Sequence, residues 1–333
     1  MTKKRKTATN EKFRTMIGGQ ALIEGIMMRG PEKDAVVVRK ADGLDIQITD
    51  RKLPPKRSPL RWPLIRGVYN FFGSNIVGVK ALLHSADLSP EETEEAPSKL
   101  DIWLEKHLGS ERFQKVAVAI AVVLGLGMSV LLFFLLPMLL GGFFDRWVTG
   151  NLALNLIEGL IRMIIFVLYM FLVSRMPDMR RVFSYHGAEH KTIRCYEARL
   201  PMTVENVRKQ TRLHPRCGTS FLLVMMILSI LIFSIGSSLL LTLVPSFAAL
   251  RGTFLYRFLM ILFKLLLIPL VVSVAYEINR LVGRYDNVLT RALTAPGMWF
   301  QYFTTNEPDE SMIEVGIAAL TAVLPETEGT DKW

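Results

Sequence analysis

His186-Gly187-Ala188-Glu189-His190 is the part of this chain with the clearest chemical potential. On a helix, His186 and His190 stand at i and i+4, so both imidazoles leave one face and can reach one metal ion. Glu189 sits beside them, where it could take a proton from water at that metal. The order His-x-x-Glu-His is that of inverted zinc peptidases, which add a distant Glu ligand. Downstream, His214-Pro215-Arg216-Cys217-Gly218 offers a second imidazole and a thiolate. Two ligands rarely hold zinc alone, so His214 and Cys217 are the first candidates to complete the site, and Glu277 the next. If two of these join the histidine pair, the shell closes and the role is structural. If one joins, a position stays open for chemistry. Imidazole and thiolate ligands together select Zn²⁺. Two other readings compete. The histidines could cap a surface helix against carboxylates or lipid phosphates, and Cys217 could be a nucleophile activated by His214. Pro215 and the x-x spacing suit a metal turn better than the latter. Cys195 points away from the histidine face and reads as core.

Something must hold these groups in place, and the surrounding chain is apolar. Half of the 333 residues are hydrophobic while 21% are charged, so the two populations are segregated along the sequence. Four stretches can cross a hydrocarbon layer of about 30 Å: 116–140, 151–173, 221–244 and 254–275. Residues 1–115 hold 21 Lys and Arg, and 174–220 hold 10, whereas the short loops 141–150 and 245–253 hold one each. Positive charge stays inside, so the N-terminal region, the central loop 174–220 and the C-terminal tail are expected in the cytoplasm. His186, Cys217 and Glu277 then all anchor at the cytoplasmic ends of spans. The net charge of +10 is accounted for by this topology, which argues against a nucleic-acid partner and leaves anionic headgroups as the natural one. Two cysteines exclude a disulfide scaffold. The basic start, Met1 to Lys6, is followed by no apolar run, so no cleavable signal peptide is expected.

The fold class expected is a mainly α-helical membrane protein. It combines a four-helix transmembrane bundle, a small N-terminal β unit, an interfacial amphipathic helix and cytoplasmic helical loops. Residues 1–60 form the β unit and a basic linker, with a hairpin of Ala35–Arg39 and Leu44–Ile48 through Ala41-Asp42-Gly43. The glycines of Gly18–Gly30 suggest sharp turns or close backbone approach. Residues 61–115 hold the amphipathic stretch Leu64–Leu83, read as lying in the interface, then an acidic linker at Ser89–Ser98 and a short segment at Asp101–Leu108. Residues 116–275 form the bundle, and 276–333 form cytoplasmic helices. The last of these starts at Pro308-Asp309-Glu310 and docks through Ile313, Ile317, Leu320 and Leu324.

Charges inside the spans need partners. Glu158 can pair with Arg162 at i, i+4, which leaves Lys264 without an assigned acid. Snorkelling is one account and a polar pocket for an anionic lipid or solute is another.

At Gly18–Gly30, Tyr185–Thr192, His214–Ser220 and Thr304–Val323 the sequence resembles the YqhQ-like family of bacterial membrane proteins, described as predicted metal-dependent enzymes. The resemblance covers roughly residues 15–325. It implies a multi-pass protein of the bacterial cytoplasmic membrane, with His186, His190, His214 and Cys217 as metal candidates. Glu24 and Arg29, in the first motif, would stand at the metal or beside its ligands.

The leading function is therefore a zinc-dependent hydrolase at the cytoplasmic membrane surface. Glu189 would be general base, and Arg175, Arg180, Arg181 and Arg194 would hold an anionic substrate or headgroup. The rivals are a scaffold with a structural zinc site, and a transporter or lipid-handling protein using Arg162 and Lys264. A homo-oligomer is compatible with all three.

Overall fold

The computed structural model describes residues 13–55, 57–89, 110–148, 150–327 and 329–332. The basic start and the Asp101–Leu108 segment lie outside the described residues, as does the acidic linker beyond Ser89. The chain divides into two compact units. One is drawn from Met1–Ser89, Ser174–Leu223 and Tyr276–Trp333, the other from Pro90–Val173 and Val224–Ala275.

The first unit is built on an antiparallel sheet in the order β1-β2-β3-β4: Gly18–Leu22, Gly25–Arg29, Lys33–Lys40 and Gly43–Asp50. The expected hairpin is its second half, β3 paired with β4 from Lys33↔Asp50 to Lys40↔Gly43. Its first half is the glycine-rich motif itself, folded as a hairpin with Leu22 opposite Gly25. The turn puts Glu24 at φ 51°, a left-handed conformation rare outside glycine. Alternation gives the sheet two covered faces. Ile26, Met28, Ala35 and Val37 join the main core, with Tyr185, Val315, Ala319 and Leu320 from helices beyond the sheet. Leu22 and Met27 face the other way, onto Ala81 of helix α1 (Ile65–Leu88). Each fully buried Leu, Ile or Met contributes about 1.5–3 kcal/mol, so this double burial fixes the strand register firmly.

Helix α1 is the amphipathic stretch, five residues longer at its end than Leu64–Leu83. Its outer stripe of Phe72, Ile76 and Val79 is more than half exposed.

The second unit holds α2 (Ser110–Val130), a π-helical turn (Leu131–Leu135), α3 (Leu136–Gly141) and α4 (Asn151–Val173). After it in sequence come α5 (Pro177–Glu197) and α6 (Val204–Arg208), both in the first unit. The chain continues as α7 (Gly218–Leu243), α8 (Pro245–Ala248) and α9 (Phe254–Arg284). Four helical stretches, Ile120–Phe144, Leu152–Val173, Gly218–Leu243 and Phe254–Arg284, are long and apolar enough to cross a membrane. The mainly helical membrane fold with a small N-terminal sheet is thus as the sequence predicts. The π turn has a local cause. Pro137 has no N–H to give the carbonyl of Phe133, four residues back, and the ladder is interrupted there. Arg162 of α4 donates its Nε to that carbonyl at 2.7 Å.

Lys264 does not lack an acid. Its ammonium donates to both oxygens of Glu158, at 2.6 and 2.7 Å, while Arg162 donates to Oε1 at 2.8 Å. One carboxylate has lone pairs enough for two cations, which one-to-one pairing along a helix overlooks.

Two further helices complete the first unit: α10 (Val288–Thr304), opened by an Asn287–Thr290 capping box, and α11 (Glu310–Ala322), capped by Asp309. The residue order does not by itself single out α10 within the C-terminal helical region. The apolar face expected of the last helix is its buried side, with Ile313 and Leu320 fully covered.

Candidate metal centre

Helix α5 carries the histidine pair. Pro177 opens it at a position where no N–H is needed, and Asp178 lies at its positive end. The ring centroids of His186 and His190 are 4.3 Å apart. Their Nδ1 atoms point away from each other's space and bond outward. His186 Nδ1–H donates to the Thr304 carbonyl at 2.7 Å, and His190 Nδ1–H to the Arg212 carbonyl at 2.5 Å. Carbonyls can only accept, so both Nε2 atoms keep a lone pair, the arrangement found around metal-binding imidazoles. Cys217 completes a trio: His186, His190 and Cys217 each offer one ligand atom, all within 4.8 Å of one another. The Cys217 Sγ stands 3.0 Å from His186 Nε2. A tetrahedral zinc with ordinary bond lengths separates N and S ligands by about 3.5 Å, so a small adjustment admits the ion.

Two buried polar atoms here have no partner among the described residues, His190 Nε2 and Glu189 Oε2. Buried acceptors are rarely left so, and both gain a partner if a cation and its water occupy the gap. The donor set and the orphaned atoms fit a divalent metal.

Glu189 is held from one side only. Its Oε1 accepts the Gly19 N–H at 3.0 Å. A Cβ on Gly19 would lie 2.7 Å from the Met27 carbonyl and 3.0 Å from Glu189 Cδ, so the close approach foreseen for this motif is what lets β1 reach the carboxyl. Gly187 has a similar reason: a Cβ there would lie 2.0 Å from the Asn306 carbonyl. Burial raises the Glu189 carboxyl to about 7, opposed by His186 and the Gly19 N–H. Burial also lowers His190 to about 4, keeping it neutral. For Cys217, burial pushes the thiol up, yet with the Thr219 hydroxyl and N–H beside its sulfur the net shift is downward.

His214 lies nearby, its ring 5.6 Å from that of His190, but its Nε2 turns to Glu197 at 3.5 Å. Burial lowers it to about 4. Gln301 of α10 clamps its backbone, accepting from His214 N–H and donating to its carbonyl, both at 2.7 Å. Glu277 is not brought to the trio. Its carboxylate accepts from Arg66 of α1 at 2.8 Å and from the Leu64 N–H at 3.2 Å. Glu24 is held by Arg181 and by Tyr185 Oη at 3.1 Å, and Arg194 donates to the Leu213 carbonyl. Arg180 is exposed, and its side chain makes no hydrogen bond or ion pair among the described residues. Arg29 is on the site's cavity wall. A cavity of about 340 Å³ is lined by Glu189, His190 and Cys217 together with Arg29 and Arg51. The same two arginines line an adjoining cavity of about 440 Å³ with Val36, Leu53 and Val77.

Sequence reasoning missed Arg51, Gln301 and the Thr304 carbonyl. Thr304 begins the last of the motifs singled out above, and its position was the available signal.

The model of the family described as "Protein of unknown function (DUF1385)" matches residues 62–326. The uncharacterized protein YqhQ of Bacillus subtilis (strain 168) is 33% identical over 318 residues, covering 92% of each chain. No solved structure matches the chain.

Proposed function

We propose that this chain, which belongs to the DUF1385 family, is a metal-dependent hydrolase acting on an anionic substrate at the cytoplasmic membrane surface. One observation carries the reading: three ligand atoms converge while the neighbouring buried carboxylate keeps one oxygen free. Three protein ligands leave a position open, the pattern of catalytic zinc, and His214 turned toward Glu197 supports an open rather than a closed shell. Zn²⁺, when bound, polarises a carbonyl or phosphoryl oxygen and makes water far easier to ionise.

The protein's own groups do the rest. Gly19 holds one oxygen of Glu189, and the other is buried with no partner among the described residues. The oxygen of Glu189 left without a partner gives it a place to take up a proton, the task of a general base. Arg29 and Arg51 share the single carboxylate of Asp34, at 3.1 and 3.5 Å, and so bring surplus positive charge to the cavity wall. That charge favours a substrate bearing phosphate or carboxylate.

The test is Glu189→Gln. Zinc-loaded protein should hydrolyse at least one of a chromogenic carboxyl ester, phosphodiester and amide. The variant should keep its zinc and lose roughly 10²–10⁴-fold in rate. Equal rates in the two proteins would sink the role of Glu189. No hydrolysis by zinc-loaded wild type would favour the scaffold.

The location proposed is the bacterial inner membrane, with several spans and both termini cytoplasmic. The charge asymmetry of the loops supports it, as does the exposed apolar stripe of α1, suited to the headgroup boundary. A cysteine replacing Glu205, on exposed α6, should resist an impermeant thiol reagent in intact cells. Ready labelling from outside would reverse the topology.

A further inference from the structure

Within the helical unit, a cavity of about 530 Å³ runs along α9 and is walled by α4 and α7. Arg257, Met260 and Lys264 line it from one face of α9, at i, i+3 and i+7. Lys264 stands ten residues into the helix, about 15 Å from its start, close to mid-bilayer for a span of this kind.

Among the described residues of this wall, positive charges outnumber negative ones. An ammonium has three N–H donors, and Glu158 takes two of those on Lys264. The third has no acceptor among the described residues. Glu158 is also the partner of Arg162, so one acid serves two buried cations. Arg257 adds another positive charge to the lining and forms no side-chain hydrogen bond or ion pair among the described residues. Glu158 is the only acid among the described lining residues.

Neutral polar groups are left over as well. Ser237, fully buried in α7, lines the cavity, and its hydroxyl has no partner among the described residues. The Asn155 amide, one turn before Glu158 on α4, also lines it and forms no side-chain bond among the described residues. A polar lock whose only purpose was to join helices would need neither surplus charge nor spare donors. Both make sense if something negative and rich in acceptors comes in.

We propose that this cavity binds the oxyanion of an organic anion, a phosphate or carboxylate. Arg257 and the third N–H of Lys264 would donate to it, seconded by Ser237 and Asn155. Its volume falls in the range of small-molecule sites, about 300–1,000 Å³, so a headgroup or metabolite fills it where a bare ion would not. The shared chemistry is the oxyanion; its source is either a lipid or a soluble molecule. This inference does not depend on the metal centre.

To test it, the full chain is stripped of metal with a chelator and held in neutral detergent. It is then titrated with glycerol phosphate, with phosphatidylglycerol and with an uncharged glycolipid, and binding is read by native mass spectrometry. At least one of the two anions should bind, and the glycolipid should not compete. Arg257→Gln and Lys264→Gln should each weaken binding roughly 10-fold or more. Arg257 is exposed, so its variant remains informative if the Lys264 variant fails to fold. Binding of glycerol phosphate assigns a free oxyanion as sufficient. Binding of phosphatidylglycerol alone assigns a lipid as the source. Failure of both anions, or binding unchanged in Arg257→Gln and Asn155→Ala, overturns the proposal.

Discussion

Full-length protein purified in mild detergent and loaded with zinc should hold close to one ion per chain, and loss of any of three side chains should empty it. His186→Ala, His190→Ala and Cys217→Ala should each leave less than about a tenth of an equivalent. The reason is geometric. The Thr304 and Arg212 carbonyls fix both imidazoles so that only Nε2 is available, and Cys217 is the third group within reach. His214 cannot replace a missing ligand without breaking its own bonds, since it is engaged by Glu197 and clamped by Gln301. Glu277→Gln should keep its zinc, because that carboxylate belongs to Arg66. His214→Ala should keep it too. Loss in that variant would mean a fourth ligand and a closed, structural shell. Stoichiometric zinc in a chain lacking both His186 and His190 would dispose of the centre altogether. Elemental analysis gives the answer, with far-UV circular dichroism to confirm that each variant is folded.

The largest effect on stability should come from Glu158→Ala. Removing that carboxylate strands Lys264 and Arg162, both about 95% buried, without a counter-charge. Breaking a buried pair by deleting one partner costs about 3–5 kcal/mol, and here two cations lose the same acid. Arg162 keeps some support from the Phe133 carbonyl and from the Phe134 and Phe233 rings, 5.3 and 5.4 Å from its Cζ. Lys264 has no such reserve, so it should dominate the loss. A double variant, Glu158→Gln with Lys264→Met, removes the charge along with its partner and should recover most of the stability. Reversible unfolding in mixed micelles measures both. A Glu158→Ala protein within 1 kcal/mol of wild type would show that water already screens this cluster.

Much of the candidate site could be read from residue order, because helical spacing alone puts His186 and His190 on one face. Cys217 was reachable by its turn. What orients these groups was not. Thr304 and Arg212 act through backbone carbonyls, which carry no residue signature, and α10, whose Gln301 clamps the His214 loop, shows no pattern that singled it out. Glu277 shows the limit of arguing from where a span ends: that argument brings a carboxylate to a face but cannot see Arg66, 211 residues earlier, taking it. The strands of β3 and β4 were legible from β-branched runs. The β1–β2 hairpin was hidden, because its glycines and methionines have little strand preference and form strands here through packing on both faces.

The missing N–H of Pro137 has a counterpart in the order of synthesis. Two acceptors in the helical unit are made before the cations that need them: the Phe133 carbonyl before Arg162, and Glu158 before Lys264. Helix α4 leaves the ribosome with its acid and base already one turn apart, able to offset each other. Helix α9 comes last and carries a lone ammonium, which meets an acceptor more than a hundred residues older than itself. The order of the genetic text thus spares the nascent chain an interval in which an unmatched Lys264 would wait in oil.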